Sequence, residues 1–195
     1  MAYDKIIDSQ KLENDLSLLA DKIREKTKTE EQLVFPEEYI SSVDTLTSTT
    51  FAKGLIEGTL ENLESEDITE IGDWVLYYHD SIKTMKLPNI TRIGSHGCCY
   101  CHFLEIADIG KATYIDANGF GGCTRLKTLI LRANEVCQLA SYSLFFNSPF
   151  GSDGSGGTAY VPAALIEEYK KASNWSSLYT WGVCRFEPIE GSIYE

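Results

Sequence analysis

Cysteine and histidine crowd one short stretch of this chain, Cys98-Cys99-Tyr100-Cys101-His102, with His79 and His96 just upstream. Thiolate and imidazole are the ligands of zinc and other soft metals, so a metal centre is the first chemistry to weigh. A structural zinc site draws its ligands from two separated arms, and that spacing is absent here. The remaining thiols, Cys123, Cys137 and Cys184, bring the count to six. The opening MAYDKIIDSQ lacks the basic and then apolar plan of an export signal, which favours reduced thiols over disulfides. There is no Gly-x-Ser-x-Gly elbow and no His-Glu-x-x-His, and the glycine-rich stretch from Gly151 to Gly157 lacks the lysine and following helix of a phosphate cradle. Glu64 beside Glu66 or Asp67 reads as solvated surface charge rather than an acid-base pair. The sequence therefore predicts no catalytic residue, metal ligand or cofactor, and a protein that is not an enzyme.

What positions these residues is a repeat of about 22 residues. ITEIGDWVLYYHDSIKTMKLPN from Ile68, ITRIGSHGCCYCHFLEIADIGK from Ile90 and ATYIDANGFGGCTRLKTLILRAN from Ala112 align without a gap. Ile71, Ile93 and Ile115 share a column; Leu76, Cys98 and Phe120 a second; Ile82, Leu104 and Leu126 a third; Leu87, Ile109 and Leu131 a fourth. Each unit is too small to bury its apolar side alone, so neighbours must stack into one core. In this register His79, Cys101 and Cys123 form a column at a turn, and Cys98 replaces Leu76 and Phe120, so three thiols read as packing groups.

Each repeat carries an apolar-x-x-apolar-x-apolar run, Ile82 to Leu87, Leu104 to Ile109 and Leu126 to Leu131, with a half run from Leu60 to Ser65. As parallel strands these place equivalent residues roughly 4.8 Å apart. One outward column then reads Glu61, Lys83, Glu105, Lys127, alternating in sign, and opposite charges on neighbouring strands favour that alignment. Further columns read Asn62, Thr84, Ile106, Thr128 and Glu64, Lys86, Asp108, Ile130, Tyr160. Exposed Ile106, Ile130 and Tyr160 would form an apolar patch, the kind of surface that marks an interaction site. The candidate binding residues are thus Lys83, Lys86, Glu105, Ile106, Asp108, Lys127, Ile130 and Tyr160, all on the strand face. Alternatively the loop from Phe146 to Gly157 folds back and Phe150 covers the patch.

The ends differ from the repeats. Ser9 or Asp8 caps a helix from about Gln10, with Leu12, Leu16, Leu19 and Ile23 on one stripe, and a second short helix is expected over residues 37–46 after Phe35-Pro36. These helices either close the open end of the repeat stack or make an oligomerisation seam, giving a homo-oligomer through the amino-terminal helix. A degenerate fourth repeat, Leu139 to Asn147, runs into SPFGSDGSGG, expected to be a mobile loop. Ala159-Tyr160-Val161-Pro162 is expected as the last rung, followed by a helix over about 162–172, a strand near 183–189 and a loose tail after Gly191. The predicted organisation is an amino-terminal helical segment (1–48), a repeat block (49–161) and a carboxy-terminal cap (162–195).

Composition sets the remaining bounds. The chain has 195 residues, 43% of them hydrophobic, and a formal charge of −12. No apolar stretch approaches the roughly 18 residues of a transmembrane helix. The negative charge disfavours nucleic acid and anionic membranes and favours a cationic partner. The run from Ile115 to Leu131, with Cys-Thr-x-Leu-Lys-x-Leu-x-Leu, resembles the BspA-like leucine-rich repeat. Tyr160 to Ser176, with Tyr-Val-Pro-Ala and Asn-Trp-Ser, is similar to the ending of short BspA-like proteins of bacteriophages and prophages of gut Firmicutes, whose opening resembles Ile7 to Leu16 and Phe35-Pro36. The chain departs from the pattern at Ile109-Gly110, where a strand-proline is usual, and at His79, where cysteine is usual. The resemblance implies an α/β solenoid, a right-handed parallel β leucine-rich-repeat stack with helical and strand-helix caps. It also implies a non-enzymatic phage virion or host-surface-binding protein taking a protein or glycan ligand on its strand face. The alternative is a soluble interaction module that binds and inhibits a host protein. The expected location is the host cytoplasm as synthesised, with incorporation into a phage particle under the first reading.

Overall fold

The computed structural model describes Gly54, residues 58–152 and residues 154–195. The chain divides into two compact units, Met1–Leu60 and Glu61–Glu195. The amino-terminal helices expected from Gln10 and over residues 37–46, with their capping or oligomerising role, lie outside the described residues. The second unit holds the repeats and the carboxy-terminal segment.

Each repeat contributes two short strands. The first kind comprises β1 (Asn62–Glu64), β3 (Thr84–Lys86), β5 (Ile106–Asp108) and β7 (Thr128–Ile130). The second comprises β2 (Glu70–Ile71), β4 (Arg92–Ile93), β6 (Tyr114–Ile115) and β8 (Gln138–Leu139). Two longer strands follow, β9 (Gly157–Val161) and β10 (Cys184–Pro188). They assemble into a six-stranded sheet, β1-β3-β5-β7-β9-β10, and a four-stranded sheet, β2-β4-β6-β8, every pair parallel. With few helices this is an α/β arrangement, and neither sheet closes into a barrel among the described residues. No helix among them is long and apolar enough to cross a membrane.

The registers follow the columns read from the sequence. Asn62, Thr84, Ile106, Thr128 and Thr158 pair in one line, and Glu64, Lys86, Asp108, Ile130 and Tyr160 in another. Between them Leu63, Met85, Ala107, Leu129 and Ala159 point inward and are buried. Ile71, Ile93 and Ile115 pair in the second sheet, where Leu139 completes the column two residues later than the period requires. Ile82, Leu104 and Leu126 and then Leu87, Ile109 and Leu131 are wholly buried, each side chain contributing about 1.5–3 kcal/mol by leaving water. Gly110 explains one departure from the regular pattern. Its φ is +31°, and a Cβ there would collide with the Pro88 carbonyl of the preceding rung, so neither proline nor a larger residue fits.

The carboxy-terminal segment closes the four-stranded sheet. The single helix expected over 162–172 is instead a 3-10 turn, Ala163–Leu165, running into α1 (Ile166–Tyr169), with a separate α2 (Trp175–Thr180). Between them, at Asn174, φ is +66° and ψ −40°, and the Trp175 amide donates to the Ser173 carbonyl at 2.8 Å, closing a γ-turn. From there Asn174 Nδ2 donates to the Leu139 carbonyl at 2.8 Å, Trp175 Nε1 donates to the Cys137 carbonyl at 2.7 Å, and the Tyr169 hydroxyl accepts from the Cys137 amide at 3.0 Å. Three side chains thus satisfy backbone groups at β8, an edge that would otherwise offer itself to another chain. Trp175 and Tyr169 are buried with Phe186 of β10 against them. Because β10 pairs with β9, β9 is not the last rung of its sheet.

Candidate binding surfaces

The strand face carries the expected charge ladder in its first rungs. Lys83 Nζ lies 2.8 Å from Glu61 Oε1, Lys86 Nζ lies 2.6 Å from Glu64 Oε1, and the Thr84 hydroxyl donates to Asn62 Oδ1 at 2.6 Å. The hydrogen bond to Glu64, then the charge of Glu64 and of Asp108, hold the Lys86 ammonium above its ordinary range. Glu105 and Lys127 are exposed in the same column but form no ion pair among the described residues. Ile106 and Tyr160 are half-buried.

Asp108 and Ile130 depart from the expectation of an outward face. Asp108 is 6% exposed and Ile130 2%. Asp108 accepts from the Arg132 guanidinium at Oδ1 and Oδ2, 2.8 to 3.2 Å, and from the Gly110 amide at 3.3 Å. The Arg132 Nη2 also donates to the Tyr194 carbonyl at 2.7 Å, and the Tyr194 ring meets Tyr160 edge to face at 4.7 Å. The tail expected to be loose is therefore folded onto the end of this column, in which Ile130 lies between Asp108 and Tyr160. Phe150 plays no part in that cover. It is buried against Phe145 at 5.2 Å, and Gly157 is the residue over which its ring lies. The segment after Asn147, expected to be mobile, buries Ser148, Pro149, Phe150 and Gly151.

All six cysteines are free and buried. Cys101 Sγ donates to the Leu76 carbonyl at 3.1 Å and Cys123 Sγ to the Cys98 carbonyl at 3.0 Å, the same contact one repeat apart. Burial pushes the Cys99 thiol up to about 11 and Cys101 to about 12, and raises Cys98 and Cys123 well above the ordinary thiol value. Such thiols stay protonated at neutral pH and are poor nucleophiles and ligands. No His, Cys, Asp and Glu grouping among the described residues is arranged to hold a metal. A depression of about 470 Å³ is lined by Lys111, Thr113, Arg132, Ala133, Asn134 and Glu135. Its guanidinium is already committed to Asp108 and Tyr194.

The turns between β2 and β3, and between β4 and β5, form a ridge that sequence reasoning missed. Trp74 stacks on His96 with centroids 3.8 Å apart and planes 5° apart, and Tyr78 stacks on Tyr100 at 4.6 Å and 13°. Tyr77 bridges both series, 4.8 Å from Trp74 and from Tyr78. His96 Nε2 accepts from Asn118 Nδ2 at 2.9 Å, leaving Nδ1 to donate to Ser95 Oγ at 3.0 Å. His102 Nδ1 lies 2.7 Å from Asp80 Oδ1. Trp74, Tyr78, His96 and Tyr100 all have left-handed backbone, φ from +54° to +64°. Each costs on the order of 1–2 kcal/mol for a side chain of this kind. In the third rung the equivalent positions are Asn118 and Gly122, residues suited to that conformation. The signal was present as the 22-residue columns Trp74, His96, Asn118 and Tyr78, Tyr100, Gly122.

No family model, curated protein or solved structure matches the chain.

Proposed function

We propose that this chain is a non-enzymatic binding protein, a leucine-rich-repeat solenoid of BspA-like type that takes a protein or glycan ligand on its strand face. The observation that carries the reading is the parallel pairing of equivalent residues in both sheets, which holds exposed side chains in fixed columns rather than around a cleft. Lys83, Lys86, Glu105, Ile106, Lys127 and Tyr160 are the surface residues of that face, with Asp108 and Ile130 supporting them from below. A scaffold of this kind recognises through its surface, and buried, protonated thiols support a non-catalytic role.

The resemblance of the two ends to short phage proteins places the protein, in this proposal, in a phage particle or at a host surface. Quantitative mass spectrometry of purified particles tests it. A stoichiometric amount of this chain supports the virion reading; absence from particles together with capture of one host protein supports the soluble inhibitor instead. For the strand face, Lys83→Glu with Lys127→Glu is expected to abolish capture of that ligand without loss of folding. Unchanged capture would contradict the assignment of the face.

A further inference from the structure

The aromatic ridge is a surface apart from the strand face, and its chemistry points to a different occupant. Trp74, Val75 and Tyr78 remain 47%, 62% and 52% exposed, three large apolar side chains within five residues. Turn closure does not require them. The third rung makes the same turn with Asn118 and Gly122, so aromatic residues stand at strained positions where smaller ones serve the backbone better. Stacking on His96 and Tyr100 fixes the orientation of both rings and lowers the entropy lost on binding.

Charge selects among ligands. The rung from Glu61 to Ile82 contains seven carboxylates and no lysine or arginine, and among the described residues only Glu61, Glu64 and Glu70 are paired closely with a lysine or arginine of the next rung. Asp73 and Asp80 flank the aromatic pair; Asp73 Oδ1 accepts from the Ser95 amide at 2.8 Å with Arg92 no closer than 3.7 Å, and Asp80 Oδ1 accepts from the His102 amide at 3.1 Å and meets its ring at 2.7 Å. An electron-rich ring face beside carboxylates attracts a cation, with indole the strongest of the side-chain rings. The molecule already makes a contact of this kind in another column, that of Ser81, where the Arg125 guanidinium sits 4.4 Å above the Phe103 ring.

We infer that Trp74 and Tyr78, flanked by Asp73 and Asp80, dock a cationic segment of a polypeptide partner, its arginine or lysine side chains lying over the rings. Titration of the full chain with an octa-arginine peptide, read by calorimetry and by tryptophan fluorescence in a Trp181→Phe background, tests this. Trp74→Gly with Tyr78→Gly is the discriminating variant, because glycine suits the left-handed backbone at both positions. It is expected to weaken peptide binding at least about tenfold while retaining cooperative unfolding. Asp73→Asn with Asp80→Asn, which leaves the rings in place, is expected to weaken it about threefold or more, and Glu168→Gln with Glu187→Gln to change it less than about twofold. Peptide affinity in the glycine variant within about twofold of the unsubstituted protein would reduce the effect to the general attraction of an acidic chain and overturn the inference. So would capture of neutral chitohexaose, lost in the glycine variant, with no binding of the peptide. Neither outcome bears on the strand-face reading, which rests on Lys83 and Lys127.

Discussion

The strand side and the turn side of each rung hold neighbouring repeats together by different means. On the strand side equivalent residues meet as complementary pairs, Lys83 with Glu61, Lys86 with Glu64 and Thr84 with Asn62, none of which lies at a positive φ. On the turn side they meet as like on like, Tyr78 on Tyr100 and Trp74 on His96, at four positions of left-handed φ. The strand side spends nothing in backbone strain and gains little from exposed ion pairs. The turn side sets strain against ring stacking, which contributes about 0.5–1.5 kcal/mol per pair. Beneath both, the buried columns supply the cohesion.

The sharpest test of that common core is alkaline pH. The folded thiols of Cys98, Cys99, Cys101 and Cys123 hold their protons above the ordinary value of 9.0 because ionising them would place charge in a dry interior. The unfolded chain loses those protons first. Stability is therefore complete below about pH 9 and falls as pH rises through 11 and 12, by about 1.4 kcal/mol per pH unit for each thiol titrating. With several thiols acting together, reducing-buffer denaturant titrations at pH 8 and pH 10.5 should differ by several kcal/mol. A flat profile would place the thiols in solvent.

Smaller effects separate the two sides from the core. Leu126→Ala or Leu129→Ala should cost about 2–5 kcal/mol in urea unfolding, whereas Thr128→Ala, half-buried in the outward line, should cost less than about 0.5 kcal/mol. Equal losses would abolish the distinction between the faces. On the turn side, Trp74→Gly and Tyr78→Gly should each shift stability by less than about 1 kcal/mol, because relief of left-handed strain offsets the lost stacking. A loss as large as at Leu129 would make the ridge part of the core. The least effect belongs to the exposed ladder. Glu105→Lys should destabilise slightly more than Glu105→Ala, by under about 0.5 kcal/mol, and 0.5 M salt should remove the difference.

The repeat columns were legible because inward positions tolerate only apolar residues, and a period of about 22 shows wherever Ile71, Ile93 and Ile115 recur. The second sheet was legible only as that column, since two-residue strands such as Arg92–Ile93 carry no alternation to read. Asp108 misled because a carboxylate in an outward column reads as solvated; its burial depends on Arg132, a residue one rung away in sequence, and on Tyr194 far beyond it. The second carboxy-terminal helix, Trp175–Thr180, was hidden for a similar reason. Asn174, Trp175 and Tyr169 are placed by hydrogen bonds to Cys137 and Leu139 that no local propensity encodes. The aromatic ridge escaped because its columns, Trp74 with His96 and Tyr78 with Tyr100, are not apolar in every repeat, and positive φ at such residues has no signature in local sequence.

The claim on which all of this rests is that equivalent residues pair in parallel along both sheets. Inter-strand contacts between α-protons and amide protons in an isotope-labelled sample measure it directly. The expected pattern links Leu63 with Met85, Met85 with Ala107 and Ala107 with Leu129 in one sheet, and Ile71 with Ile93 and Ile93 with Ile115 in the other. Contacts displaced by one residue, which would turn each inward column to solvent, or contacts of antiparallel type would contradict it.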